Sequence, residues 1–450
     1  MFEQSFKAAL ISIAAGCIVF AAMFAFAKFG PNDRTTVRRH IVEAIQNGEM
    51  MQIVRYGRFS PQAFYRNVYD CGFFQMVLEP PAAHPLRVLD THLMDFIGYN
   101  ANDKRIPPFD GCQILFKALP EIGGSGDVKF ESFDRYILAS RLVAQSMLSY
   151  MSVETMHRVL RALAHALIGI VLLAGLYRLI RAKDDSVERA AGAGYAALAL
   201  SLLLFYGMRF FTLTLNFGVM DIVQFFFVAL TLIWPLGQMR DTRLALFAGF
   251  YGGMIAIVEW LTGGIPLALA MMPLLLAFGY RGTKSDYLRK LFILWFSFCI
   301  AVGVCFGLKK VYTTLLIPDT DALVSRISQW FWGGPITAEF TFRKLLENYG
   351  NATPLIAWGS NSLGKIAVVV GVVSLVGLTI RRSFADLYVW ACWFCMLALA
   401  AWSLTFFNHT VAHSHQMVRL LVIPIMAGAV LLAIELATWR TRGQAAAAAG

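Results

Sequence analysis

Charge is scarce in this sequence. Asp, Glu, Lys and Arg make up 15% of its 450 residues, against 58% hydrophobic residues. A soluble chain of this length carries more charge to cover its surface, so the bilayer is the solvent. A mean hydropathy of +0.60 agrees. No P-loop and no Rossmann glycine fingerprint is present. No basic arm or interleaved basic–aromatic pattern occurs, so the net charge of +11 is not a nucleic-acid footprint and no nucleic-acid partner is expected. Most cations flank apolar runs, where membrane topology needs them. An internal repeat of the kind that marks many secondary transporters is also missing.

What the chain has is a rhythm. A membrane span needs about 20 mostly apolar residues, and about ten such runs follow one another. They cover Ala8 to Ala27, Ala162 to Ile180, Ala190 to Tyr206, Thr214 to Leu236 and Leu244 to Leu261. The rest are Ile265 to Tyr280, Leu291 to Leu308, Leu363 to Ile380, Leu387 to Phe407 and Leu420 to Ala437. The first run ends in Ala25-Phe26-Ala27, a small-x-small form like a signal cleavage site. Its length and the weakly charged segment before it read instead as a retained anchor helix.

With the N-terminus in the cytoplasm, every short basic connector lands inside, and so does the C-terminus. These include the connectors carrying Arg181, Arg240, Arg281 and Arg381. The inverted topology would put all of them outside, against the positive-inside bias. The expected fold class is therefore all-α: a polytopic transmembrane helical bundle of about ten spans with a large extracytoplasmic first loop. The chain divides into a first transmembrane helix (1–28), an extracytoplasmic loop domain (29–158) and transmembrane helices two to seven (159–308). An extracytoplasmic segment (309–362), transmembrane helices eight to ten (363–442) and a disordered tail (443–450) follow. Within the first loop, Pro/Gly-rich patches predict short helical pieces. Asp33 to Gln46 reads as an interfacial helix on the outer leaflet, with Val37, Ile41 and Ile45 on one face.

The candidate chemistry gathers on the outer side. Asp70, flanked in the loop by Arg55, Arg58 and Arg66, is a candidate general base or metal ligand beside cations that hold an anionic donor, or a salt-bridged loop acid. Asp90, Asp95, Asp103, Asp110 and Asp134 compete with it. Cys71 and Cys112 share this outward, oxidising loop, which makes a disulfide between them reasonable. Cys392 and Cys395 form a C-x-x-C inside an apolar run and read as packing.

His157, Arg161 and His165 are spaced i, i+4, i+8 and form one helical stripe dipping into the outer leaflet. That stripe suits the phosphate of a lipid-linked substrate, or snorkels to headgroups. Asp221 and Glu259 lie in or beside apolar runs, where a carboxylate faces a wet cavity or an ion-pair partner. Arg209 is a candidate partner for either. Late in the chain, His409 and His413 share a helical face, with Arg419 beyond them. The Glu of H-E-x-x-H is missing, so phosphate or hydroxyl binding is preferred over zinc, although a divalent cation stays open. Trp330 and Trp332 suit either sugar stacking or interfacial anchoring.

Asp70 in the first loop, the His157/Arg161/His165 stripe and the distal His409, His413 and Arg419 together resemble the GT-C superfamily. Its members are integral membrane glycosyltransferases that use polyprenyl-phosphate sugars. The chain is also similar to bacterial multi-span proteins with an acid-Leu-Thr turn like Glu259 to Thr262 and a late Asn-His-x-x-x-His segment. The resemblance implies a lipid-linked sugar donor, a glycan or lipid acceptor and a multi-pass location in a bacterial inner membrane. Asp70 and Glu259 would be the catalytic acids. His157, Arg161, His165, Arg209, His409, His413 and Arg419 would bind substrate, and the cations would stabilise the leaving phosphate. No nucleotide site is needed for that chemistry. A flippase or transporter using Asp221, Glu259 and His165, with helices broken near Gly218 and Gly263-Gly264, is the competing reading. A glycan polymerase or ligase and a structural scaffold are two more.

Overall fold

A computed structural model describes residues 2–50, 70–78, 86, 88–89, 92–96, 111–126, 128–132, 139–183, 185–210, 214–259, 263–316, 361–406, 410 and 417–449. The described chain is predominantly helical. In order come α1 (Phe2–Phe29), α2 (Arg34–Gln46), α3 (Cys71–Leu78), β1 (His92–Phe96), α4 (Gly111–Ala118), β2 (Val128–Ser132) and α5 (Ala139–Leu148). Then follow α6 (Val153–Arg181), α7 (Ser186–Phe210), α8 (Leu215–Ile233), α9 (Asp241–Val258), α10 (Gly264–Ala277) and α11 (Lys284–Leu316). The last three helices are α12 (Asn361–Arg382), α13 (Leu387–Thr405) and α14 (Val422–Ala449).

Each apolar run read from the sequence falls on one of these helices. Among the described residues, 6 helical stretches are long and apolar enough to cross a membrane: Ser5–Phe29, Val153–Arg181, Asp241–Val258, Lys284–Leu316, Leu387–Thr405 and Arg419–Trp439. Phe217–Ile233 and Gly264–Ala277 are shorter apolar helices. Local chemistry sets several starts. Asp33 caps α2 by accepting from the Thr36 N–H at 3.2 Å. Ser152 caps α6 at Thr155, and Thr214 caps α8 at Phe217.

The helices pack in pairs, α6 on α7, α9 on α11 and α1, and α14 on α7 and α12. Small residues allow the closest approaches, as in membrane bundles. At the α6–α7 crossing, a side chain on Gly192 would collide with the Leu179 backbone, and one on Gly175 with the Ala196 backbone.

Three expectations are corrected, and the helical class, which stands, gains one two-stranded ribbon: β1 and β2 pair antiparallel, His92 opposite Ser132 and Phe96 opposite Val128. The polar/apolar alternation of Val128-Lys129-Phe130-Glu131-Ser132 carried that signal. The apolar face of α2 does not dip into lipid. Val37, Ile41, Val42, Ala44 and Ile45 are buried in the protein core, where α2 meets α3, α5 and α6. The seventh apolar run does not end its helix at Leu308. The helix α11 runs on to Leu316, with Lys309 and Tyr312 buried. Finally, α14 continues to Ala449 where a disordered tail was expected. The run Ala445 to Ala449 is made of the strongest helix former.

Contacts sort the helix ends into two groups. At one end Arg281 pairs with Asp185, Arg289 with Asp241 and Asp286, and Lys290 donates to the Gly237 carbonyl at 2.7 Å. There too Arg382 joins Glu435 at 2.7 Å and Asp386 at 2.6 Å. At the other end lie the N-termini of α6, α8 and α10, the start of the last helix and the C-terminus of α9.

Candidate functional site

The site is built at that second end, around α8. Asp70, one residue before α3, is buried at 1% exposure. Its Oδ1 accepts the Leu215 N–H at 2.8 Å, so it closes an open donor at the first turn of α8. A carboxylate there also answers the positive end of the helix dipole. Its Oδ2 stands 3.1 Å from His157 Nε2, close enough for a charge contact though not aligned as a hydrogen bond. The His157 ring is buried, and its Nδ1 has no hydrogen-bond partner among the described residues. A carboxylate beside Nε2 favours the proton there and leaves Nδ1 as a lone-pair acceptor.

About two turns further along α8, Asp221 pairs with Arg419. Both side chains are buried, at 1% and 0% exposure. The guanidinium lies over the Phe217 ring at 5.1 Å, and Nη1 reaches Met220 Sδ at 3.9 Å. Glu259 is fully buried and caps the C-terminus of α9. A side chain on Gly264 would collide with both Glu259 Oε2 and Met220 Sδ, so these groups converge on one spot. Gln224 joins them, donating from Nε2 to the Gly264 carbonyl at 2.9 Å. Asp221 Oδ2 and Gln224 Oε1 have no hydrogen-bond partner among the described residues. Gly263, at φ +102°, makes the turn into α10, a conformation that favours glycine. A Cβ there would stand 3.2 Å from Arg419 Cγ and Cδ.

The expected residues divide accordingly. Asp70 and His157 meet, Glu259 and Arg419 join Asp221 in the neighbouring group, and Arg161 and His165 lie half-buried on α6 below His157. Among the described residues, the ion-pair partner of Asp221 is Arg419, which the sequence did not single out for that role. Arg419 is in consequence buried against an acid rather than open to a substrate anion. The side chain of Arg209 lies outside the described residues, as do His409, His413, Trp330 and Trp332 and the side chains of Asp90, Asp95, Asp103, Asp110 and Asp134. Cys71 is disulfide-bonded, and Cys17, Cys299, Cys305, Cys392 and Cys395 are free. The side chain of Cys112 also lies outside the described ones. Of the two suggested helix breaks, α8 runs unbroken through Gly218, while Glu259 to Gly263 does separate two helices.

Sequence reasoning passed over Gln224 and Met220. Gln224 sits three residues after Asp221 in an apolar run, a spacing that puts two polar groups on one helical face. Among the described residues, no group of three or more His, Cys, Asp or Glu is arranged to hold a metal ion. Leu89 is tied to α11 by two hydrogen bonds: Lys309 Nζ donates to the Leu89 carbonyl at 2.9 Å and the Leu89 N–H donates to Tyr312 Oη at 3.0 Å. Arg141 donates to the Val88 carbonyl at 3.1 Å. No family model, curated protein or solved structure matches this chain.

Proposed function

We propose that this chain is a GT-C-type membrane glycosyltransferase. It moves a sugar from a polyprenyl-phosphate donor to an envelope glycan or lipid acceptor on the extracytoplasmic side of a bacterial inner membrane. In this reading about ten helices span the bilayer, the six long apolar helices among them, and both termini are cytoplasmic. The end carrying Asp70, His157, Asp221, Glu259 and Arg419 then faces outward beneath the first loop.

The single observation that supports it most is the Asp70–His157 contact at the N-terminus of α8. Chemistry follows from it. An acceptor hydroxyl attacks the anomeric carbon as the carbon–oxygen bond to the lipid phosphate breaks. The hydroxyl proton passes to His157 Nδ1, and Asp70 stabilises the imidazolium that forms. The phosphate departs as an anion. Because Arg419 is neutralised by Asp221, stabilising that anion falls to Arg161 and His165 lower on α6.

The second reading is a flippase or transporter of lipid-linked sugars. It is favoured by the buried Asp221, Glu259, Arg419 and Gln224 at a helix interruption, an arrangement that marks substrate or ion paths. One experiment separates the two. His157→Gln, Asp70→Asn, Arg161→Gln and Glu259→Gln are introduced singly, protein levels are matched, and envelope glycans are analysed. Loss of one sugar with the lipid-linked donor still displayed outside supports the transferase. Accumulation of unmodified lipid-linked sugar inside supports the flippase. Normal glycans in all four variants remove both.

A further inference from the structure

The opposite end of the bundle carries a second feature that the proposed chemistry does not use. An open cleft of about 640 Å³ lies among Lys7 and Ala8 of α1, Gln238 to Thr242 at the start of α9, and Asp286, Arg289 and Lys290 of α11. Glu259 ends α9, whose 18 residues at ~1.5 Å each separate the two features by about 27 Å. The cleft is thus formed by the N-terminal ends of three helices, each long and apolar enough to cross a membrane. With those helices spanning a bilayer, the cleft would sit at the depth of the lipid headgroups.

Its charge is unbalanced. Lys7, Arg240, Arg289 and Lys290 line it, against Asp241 and Asp286. Arg289 is committed to both carboxylates, Lys290 sits 3.8 Å from Asp286, and among the described residues Lys7 pairs only with the exposed Glu3, which is not part of the lining. Arg240 is exposed, and its side chain has no hydrogen bond or ion pair among the described residues. No side chain caps α9 at Arg240, so the first-turn N–H groups add donors and the positive end of a helix dipole. Ala8 and Met239 supply an apolar edge beside these cations.

We infer that this cleft binds the phosphate of an anionic glycerophospholipid headgroup. Phosphate chemistry matches the free cation, the uncapped helix end and the hydroxyl and amide of Thr242 and Gln238. A lipid is chosen over a soluble anion because the cleft opens between spanning helices and keeps an apolar edge. Basic pockets of this kind between membrane helices hold acidic headgroups. The inference stands apart from the transferase proposal and holds for a transporter equally; only the leaflet follows from the topology proposed above.

The test uses the full chain purified in detergent. Thermal unfolding and native mass spectrometry are run with added phosphatidylglycerol, with phosphatidylcholine and with inorganic phosphate. Wild type, Arg240→Gln, the double variant Lys7→Gln/Arg240→Gln and Arg243→Gln are compared. Arg243 is exposed and neighbours the cleft without lining it, so it removes the same charge from the same end. Phosphatidylglycerol is expected to bind and raise the melting temperature of wild type and Arg243→Gln. Each lost cleft cation should weaken it about fivefold, which is ~1 kcal/mol. Equal effects of phosphatidylcholine, equal loss in Arg243→Gln, an unchanged lipid shift in the double variant, or a response to inorganic phosphate alone would each overturn the inference.

Discussion

Arg419 closes on Asp221 across 198 residues of sequence, and both side chains are shut away from solvent. The contact fastens the start of the last helix to the second turn of α8, and Phe217 and Met220 form its apolar bed. Breaking such a pair from one side leaves a buried charge without its counterpart, which costs about 3–5 kcal/mol. Asp221→Asn and Arg419→Gln should each lower stability by that order. The double variant should lose less than the sum of the two. Equilibrium unfolding in detergent measures all three, and strict additivity would remove the pair as an energetic unit.

Asp70 has two duties that different substitutions separate. Asp70→Ala strips the Leu215 N–H of its buried acceptor, at about 1–3 kcal/mol. Asp70→Asn keeps an acceptor oxygen and loses the charge beside His157. Its stability should fall little, while under the proposed transferase chemistry sugar transfer should drop by about 10²–10⁴. A glycan assay run beside a melting curve distinguishes them. Equal activity of Asp70→Asn and wild type would dismiss the acid–base role.

The disulfide at Cys71 lies next to Asp70 in the chain. Cys71→Ser should cost about 2–4 kcal/mol, because cross-linking limits the unfolded loop. A reducing agent should lower the melting temperature of wild type and leave Cys71→Ser unmoved. Reductant sensitivity that survives the substitution would place the effect elsewhere.

The Arg281 guanidinium holds the Asp185 carboxyl below its ordinary value of 3.8. With the folded value lower than the unfolded one, the pair's stabilisation is complete above about pH 3.8 and fades as pH falls below it toward the folded value. The side chains are 55% and 39% exposed, so the contribution is small and salt-screened. Arg281→Gln should flatten the acid limb of a stability–pH curve at low salt. Unaltered acid sensitivity would show that other carboxylates carry it.

Gly263 turns the chain at φ +102°, directly against the Arg419 stem. Gly263→Ala puts a Cβ into a left-handed residue and into that stem, at about 1–2 kcal/mol or more. It should also weaken the coupling measured between Asp221 and Arg419. A double-mutant cycle repeated in the Gly263→Ala background reads this out.

Much of the bundle was legible because a bilayer leaves little choice. A run such as Leu291 to Leu308 must form a helix that satisfies its own backbone. The boundaries were less legible: Lys309 looked like an exit from the membrane, yet its amine reaches Leu89 and the helix runs on. The site was legible as a set of unusual residues. Asp70, His157, Glu259 and Arg419 stood out because a polar group in an apolar chain has to be accounted for. Their partners were not. Arg209 was the nearer choice in sequence for Asp221, and Arg419 was read as open to a substrate.

The sequence by itself determined a membrane-embedded helical chain, the places of its helices and the short list of residues unfit for lipid. Periodicity and hydropathy are local properties, so they need no knowledge of neighbours. Only the tertiary structure decided that Asp70 closes the first turn of α8 beside His157 and that Arg419 answers Asp221. It also decided that α2 turns its apolar face to protein instead of lipid. Ion pairs and buried faces depend on which helices pack side by side, and no local pattern encodes that choice.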